Sequence, residues 1–248
     1  MLIDDQANKQ IIIENLFKIV AFEGWSNDSL KSAIKKSNLD ENFLELIFED
    51  KIFSAIEFIT NDYCQQTKNF IVDDQDFNQQ KINQKIANLL FIFLTIDIKN
   101  KSAHQRLLNF YLNPKNLINQ DLSMGLRPTY FALNQAYLVA DFMWNLIGDN
   151  STDINFYSKR IILSKIIIRS FVYYINNDDL NLLKKYINKQ IADVLKFAKI
   201  KNNIKNNFNI FKNKLEESLN DIQSPNFEPL NIVKKLPFFR LINKNIFK

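Results

Sequence analysis

Residues 9–51 read KQIIIENLFKIVAFEGWSNDSLKSAIKKSNLDENFLELIFEDK, and the punctuation of this stretch decides the fold. Ile12, Leu16, Ile19 and Val20 recur at helical spacing over 9–22, which makes one apolar helix face. Gly24 ends that helix, since glycine enters a left-handed cap without steric cost. Ser26 or Asn27 caps a second helix that carries Leu30, Ala33 and Ile34. A break at Asn38 precedes a short helix with Phe43, Leu46 and Ile47, and a longer helix starts near Asp50. Helix, glycine, helix, tight turn, short helix, long helix is the outline of a helix-turn-helix unit.

Outward from this unit the chain keeps the same character. Only three Gly and five Pro occur in 248 residues. Sheets consume Gly and Pro in their turns, so the scarcity favours long helices with short connections. Helices are expected near 79–98, 102–112, 115–121, 129–147, 152–176 and 179–199, with Pro114 and Pro128 marking starts. The stretch 152–176 is apolar on most sides, and its polar residues fall roughly on one stripe. It is either an ordinary core helix or the wall of a cavity. Residues 224–248 hold three of the five Pro and read as an irregular tail.

Compartment and charge narrow the classes. The single cysteine, Cys64, fits a reducing compartment. Residues 1–10 show no basic segment followed by an apolar run, so no secretory signal is expected. The apolar run Leu89–Ile96 is far shorter than the roughly 20 residues that span a bilayer, so the protein is expected to be soluble or at most peripheral. The net charge of +5 is unevenly placed: residues 195–248 carry +7 and the remainder −2. A DNA reader needs Lys and Arg around its recognition helix. Residues 37–51 instead carry −4, from Asp40, Glu41, Glu45, Glu49 and Asp50 against Lys51. That sign repels phosphate, so the helix-turn-helix reads as degenerate and structural.

Catalytic chemistry finds little to work with. His104 is the only histidine and sits in the polar stretch SAHQR, where it is expected to be a solvated surface residue. No His/Cys/carboxylate cluster has metal-ligand spacing, and three scattered Gly make no phosphate loop. Asp141, Asp149 and Asp153 lie at helix ends, where carboxylates commonly cap. No catalytic residue and no metal site are assigned, and the chain is expected not to be an enzyme.

Residues 141–160, DFMWNLIGDNSTDINFYSKR, carry a denser signal. Gly148 can close one helix, and Ser151, Thr152 or Asp153 can cap the next. Phe156 and Arg160 are four apart and share a face, with Lys159 beside them. An aromatic and an Arg on one exposed face are the composition of an interface hot spot. Alternatively Phe156 is core and Arg160 pairs with Asp153 or Asp149. This run resembles the ubiquinone-biosynthesis accessory lipid-binding proteins, the ninth coenzyme Q protein and its bacterial relatives. The resemblance is carried by Asp141, Trp144, Gly148, Asp149, Ser151, Thr152, Asp153, Asn155, Phe156, Tyr157, Lys159 and Arg160. Gly24-Trp25 before a capped helix adds to it. The family often has Trp where Phe156 stands, and Gly where Asn38 stands.

The resemblance implies an all-α, TetR-like bundle of about ten helices and a non-catalytic lipid-binding accessory role, with an isoprenoid quinone or precursor as bound lipid and no other cofactor. It implies docking of a di-iron quinone-ring hydroxylase through Met143, Asp153, Phe156, Tyr157 and Arg160. It also implies lipid contact at Asp141, Trp144, Ile147, Ile161 and Ile168. A homodimer is expected, as TetR-like proteins often pair through their C-terminal helices. The alternative is a TetR-type regulator that binds DNA and a hydrophobic ligand.

Ile200, Ile204, Phe208, Phe211, Leu215, Leu219 and Ile222 form a continuous helical stripe. Lys201, Lys205 and Lys212 are among the basic residues around it, a pattern suited to an anionic membrane surface. Packing of the stripe on the core is the other reading. Four segments follow: a helix-turn-helix-like unit over 1–62, a helical lipid-binding domain over 63–199, a membrane-contacting helix over 200–223 and a basic tail over 224–248. The location expected is the bacterial cytoplasm, peripheral to the inner membrane.

Overall fold

Caps and left-handed residues set the architecture. A computed structural model describes residues 5–39, 47–72, 74–112 and 122–198. They form α1 (Asp5–Glu23), α2 (Asn27–Lys36), α3 (Ile52–Ile71), α4 (Gln75–Gln79), α5 (Ile82–Thr95), a 3₁₀ turn (Ile98–Asn100), α6 (Lys101–Leu112), α7 (Leu122–Leu146), α8 (Asp153–Asn176) and α9 (Leu180–Ala198). No strand occurs among the described residues. The bundle is all-helical, consistent with a TetR-like order. The helices expected at 43–47 (in all but its last residue), 115–121 and 200–222, and the tail, lie outside the described residues.

Local chemistry accounts for the boundaries. Gly24 closes α1 at φ +85° and donates its N–H to the Val20 carbonyl at 3.0 Å. The Ser26 hydroxyl accepts the Ser29 N–H at 3.0 Å and caps α2. Asn38 takes the left-handed turn at φ +58°, a conformation Asn tolerates better than other residues with a side chain. Two expected boundaries are corrected. The helix expected over 79–98 is broken, because Gln80 is extended between α4 and α5 and the Asp74 carboxylate caps α4. Pro128 lies inside α7 rather than at its start. Burial of Leu126 and Pro128 holds the helix together through a residue that donates no backbone hydrogen.

Two apolar cores are built. The first gathers α1, α2 and the start of α3 around Ile12, Leu16, Leu30, Ile34 and Ile56. The Trp25 indole N–H donates to the Ala103 carbonyl at 2.9 Å and ties this core to α6. The second gathers α5, α7, α8 and α9 around Leu89, Leu90, Met143, Leu163 and Leu183. Helix α3 feeds both: Ile52, Ile56 and Ile59 enter the first, Cys64 and Ile71 the second. The boundary expected at 62/63 therefore falls in mid-helix. Cys64 is buried, and burial pushes its thiol up to about 12.

Candidate functional site

The two cores do not close on each other. Between them lies a cavity of about 850 Å³ walled by α3, α5, α6, α7 and α8, with Phe17 of α1 and Tyr186 of α9. Ile56 and Ile59, Phe93, Tyr111, Val139 and Phe171 show its character: aromatic and branched side chains from five helices. The volume is that of a site for a drug-sized or larger apolar ligand. The segment 152–176 thus serves in both roles weighed for it. On α8, Leu163, Ile166 and Tyr174 pack in the core, while Ile168, Phe171 and Val172 face the cavity.

A buried polar cluster adjoins this wall, which elsewhere also carries Asn109, Gln135, Arg169 and Asn176. Tyr63 on α3 donates its hydroxyl to Asp97 Oδ2 at 2.5 Å, and the His104 Nε2 lies 3.3 Å from the same hydroxyl. Asn100 also donates to Asp97, at 2.9 Å. The surface position expected for His104 is corrected: it is only 7% exposed. Burial pushes its imidazolium down to about 4, against the pull of the Asp97 charge, so the ring is neutral near pH 7. Burial, then the Asp97 charge, pushes the Tyr63 hydroxyl well above its ordinary value. The cluster was missed because its members stand 34 and 7 residues apart on three elements. A signal existed nonetheless: His104 precedes Leu107, Leu108 and Tyr111 by three, four and seven residues, and all four line the cavity.

The signature run forms the turn between α7 and α8. Gly148 adopts φ +77°, and the Asp149 N–H reaches back to the Trp144 carbonyl at 3.0 Å. Arg160 is fully buried. Its Nε donates to Asp141, its Nη1 to Asp149 at 3.3 Å and to the Phe156 carbonyl at 3.2 Å, and its Nη2 to Asn145 at 3.1 Å. Phe156 covers the guanidinium, its ring centre 3.3 Å from Cζ. Lys159 donates to Asp149 at 2.5 Å and stands 5.0 Å above the Trp144 ring, and the Trp144 N–H donates to the Lys159 carbonyl at 3.2 Å. Burial alone would raise the Asp149 carboxyl. Hydrogen bonds from Lys159, Ser151 and Arg160, with the Lys159 charge, outweigh it and hold the group below its ordinary value. Thr152 is the residue before α8, without a side-chain cap bond, and the Ser151 hydroxyl donates to Asp149 at 2.5 Å.

Residues 130–198 match the model of the COQ9 family, a span that runs from α7 through α9 and contains the whole signature turn. Over this span the chain is similar to the COQ9 family. Among curated proteins, the chain is 21% identical over 211 residues to the probable ubiquinone biosynthesis protein coq9, mitochondrial, of Dictyostelium discoideum. That alignment covers 82% of the chain and 64% of the relative, so the chain spans less than two thirds of the relative's length. The expectation of a bacterial cytoplasm beside an inner membrane is corrected, because the relative is a mitochondrial protein.

The structure redistributes the expected site residues. Of the partner-facing set, Tyr157 is 47% exposed and Phe156 half-buried. Met143 and Arg160 are wholly interior, which corrects their surface placement: Met143 fills the second core and Arg160 is enclosed by its four acceptors. The side chain of Asp153 lies outside the described residues. Of the lipid-contacting set, Ile168 lines the cavity. Asp141 is engaged by Arg160, Trp144 by Lys159, and Ile147 and Ile161 stand away from the cavity wall. The stripe Ile204, Phe208, Phe211 and Leu215, with Lys201, Lys205 and Lys212, lies outside the described residues. Among the described residues no group of His, Cys, Asp or Glu has metal-binding geometry, and no helix is long and apolar enough to cross a membrane.

Proposed function

We propose that this chain is a non-catalytic accessory protein of ubiquinone biosynthesis that holds an isoprenoid quinone or its precursor and presents it to a di-iron quinone-ring hydroxylase. The observation that carries this reading is the 850 Å³ cavity, bounded mainly by apolar side chains of seven helices. An opening of this size with a mainly apolar lining suits an apolar guest. The match of residues 130–198 to the COQ9 family and the likeness to the Dictyostelium protein, a probable ubiquinone biosynthesis protein, support the pathway. The half-buried Phe156 and exposed Tyr157, presented on a turn stiffened by Arg160, supply the docking face. Mass spectrometry of lipid extracted from the purified chain tests the reading. A co-purifying isoprenoid lipid, lost when Ala132→Trp fills the cavity, is the expected result. A chain that purifies empty and takes up no prenylated phenol or quinone from vesicles overturns it.

A further inference from the structure

His104, a residue of the cavity wall, holds a buried acceptor that no protein group satisfies. The single hydrogen of the Tyr63 hydroxyl is spent on Asp97 at 2.5 Å. The His104 Nε2 that approaches the same oxygen at 3.3 Å must therefore carry a hydrogen and donate it. A neutral imidazole protonated on Nε2 has a bare lone pair on Nδ1. That atom is buried without a hydrogen-bond partner. Buried acceptors are normally paired, and an orphan is unfavourable until something donates to it. Tyr63 and His104 both line the cavity, and the remaining wall is largely apolar.

We propose that the Tyr63–Asp97–His104 cluster is the head-group subsite of the cavity and selects ligands whose polar head donates a hydrogen bond, a phenol or hydroquinone rather than a quinone or aryl ether. Selection rests on polarity of the hydrogen bond. The Nδ1 lone pair accepts from a phenolic O–H, whereas a quinone carbonyl offers only lone pairs and leaves the acceptor bare. Asp97 sets this polarity from a distance, because its capture of the Tyr63 hydrogen fixes the tautomer of His104. The assignment rests on the reading of the cavity as a lipid site, and it adds which redox form of such a lipid is retained.

Titration calorimetry of the full, delipidated chain with 4-dodecylphenol and its methyl ether, 4-dodecylanisole, tests it. The two probes share chain and ring and differ in one donated hydrogen. The phenol is expected to bind roughly tenfold more tightly, the worth of one net hydrogen bond. In His104→Phe, which keeps a ring against Phe17 and Tyr63, that preference is expected to vanish while the ether binds as before. His104→Met serves the same purpose should the Phe variant not fold. Equal binding of both probes by the native chain overturns the head-group assignment and leaves the lipid reading standing. A preference that survives in the variants overturns the role of His104. Binding of neither probe overturns the lipid reading and the subsite together.

Discussion

Arg160 has no exposed surface, yet it is a charged side chain at the centre of the signature turn. Its worth is best judged by what its loss leaves behind. Arg160→Met strips the hydrogen bonds from Asp141 and Asp149, and breaking a buried pair in this way costs about 3–5 kcal/mol. Arg160→Lys is expected to recover only part of that loss, since an ammonium cannot reach Asp141, Asp149 and Asn145 with one planar fork. Denaturant titration of the two variants measures both outcomes, and a loss below about 1 kcal/mol for the Met variant sinks the clamp. His104 makes a prediction in pH. Its folded value is lowered, so between about 6.5 and 4 the unfolded chain binds the extra proton, and stability is lost as pH falls through that window. Two and a half pH units correspond to about 3 kcal/mol. His104→Phe removes this dependence, leaving acid sensitivity below pH 4 from Asp149, whose lowered carboxyl stabilises only while ionised. A denaturation midpoint that stays flat from pH 7 to 4.5 in the native chain contradicts the burial of a neutral ring.

The α7–α8 hairpin shows what a sequence reader can and cannot see at the level of elements. Gly24, Ser26, Asn38 and Gly148 act through their own backbone or that of near neighbours, so the helix order around them is legible from the letters. Pro128 misleads for the opposite reason, since burial against other helices carries α7 through it and overrides local preference. The break at Gln80 is local, with Asp74 capping α4 and the Gln84 side chain accepting the Lys81 N–H, and those polar residues carry no helical spacing to read. The same logic splits the signature. That Arg160 meets Asp149 is a matter of eleven residues and was open to view, whereas its partner Asp141 sits on the preceding helix and fixes the burial. Gly148→Ala isolates the local contribution. Nothing lies within 4 Å of the added Cβ, so only the left-handed conformation is penalised, by about 1–2 kcal/mol. Thermal melting reads this directly. The hairpin also decides which substitution tests docking. Phe156→Lys sets a second cation on the Arg160 guanidinium and disturbs the turn, whereas Tyr157→Lys changes an exposed ring. Tyr157→Lys is expected to shift stability by less than about 1 kcal/mol and to abolish capture of the hydroxylase in a pull-down.

Across the whole molecule the cavity is the feature that no local reading reveals, because its wall is assembled from seven helices and most of its facing residues are ordinary core residues in sequence. Helical spacing predicts that Ile56, Leu107 and Ile167 are inside and says nothing about whether the inside is filled. Filling it is a direct test: Ala132→Trp occupies void on α7 and is expected to leave the melting temperature of the empty chain unchanged or higher while abolishing the stabilisation that lipid confers. At a hundredfold excess of free ligand over Kd, that stabilisation is about 2.7 kcal/mol for the native chain. A Trp variant that still gains stability from lipid places the ligand elsewhere. Cys64, finally, turns the bundle into its own stopwatch. A thiol held at about 12 on a buried helix face is silent to alkylating reagents until the second core breathes. Because no other thiol competes, the labelling rate of the unmodified protein counts openings one by one, and a guest in the adjoining cavity slows the count.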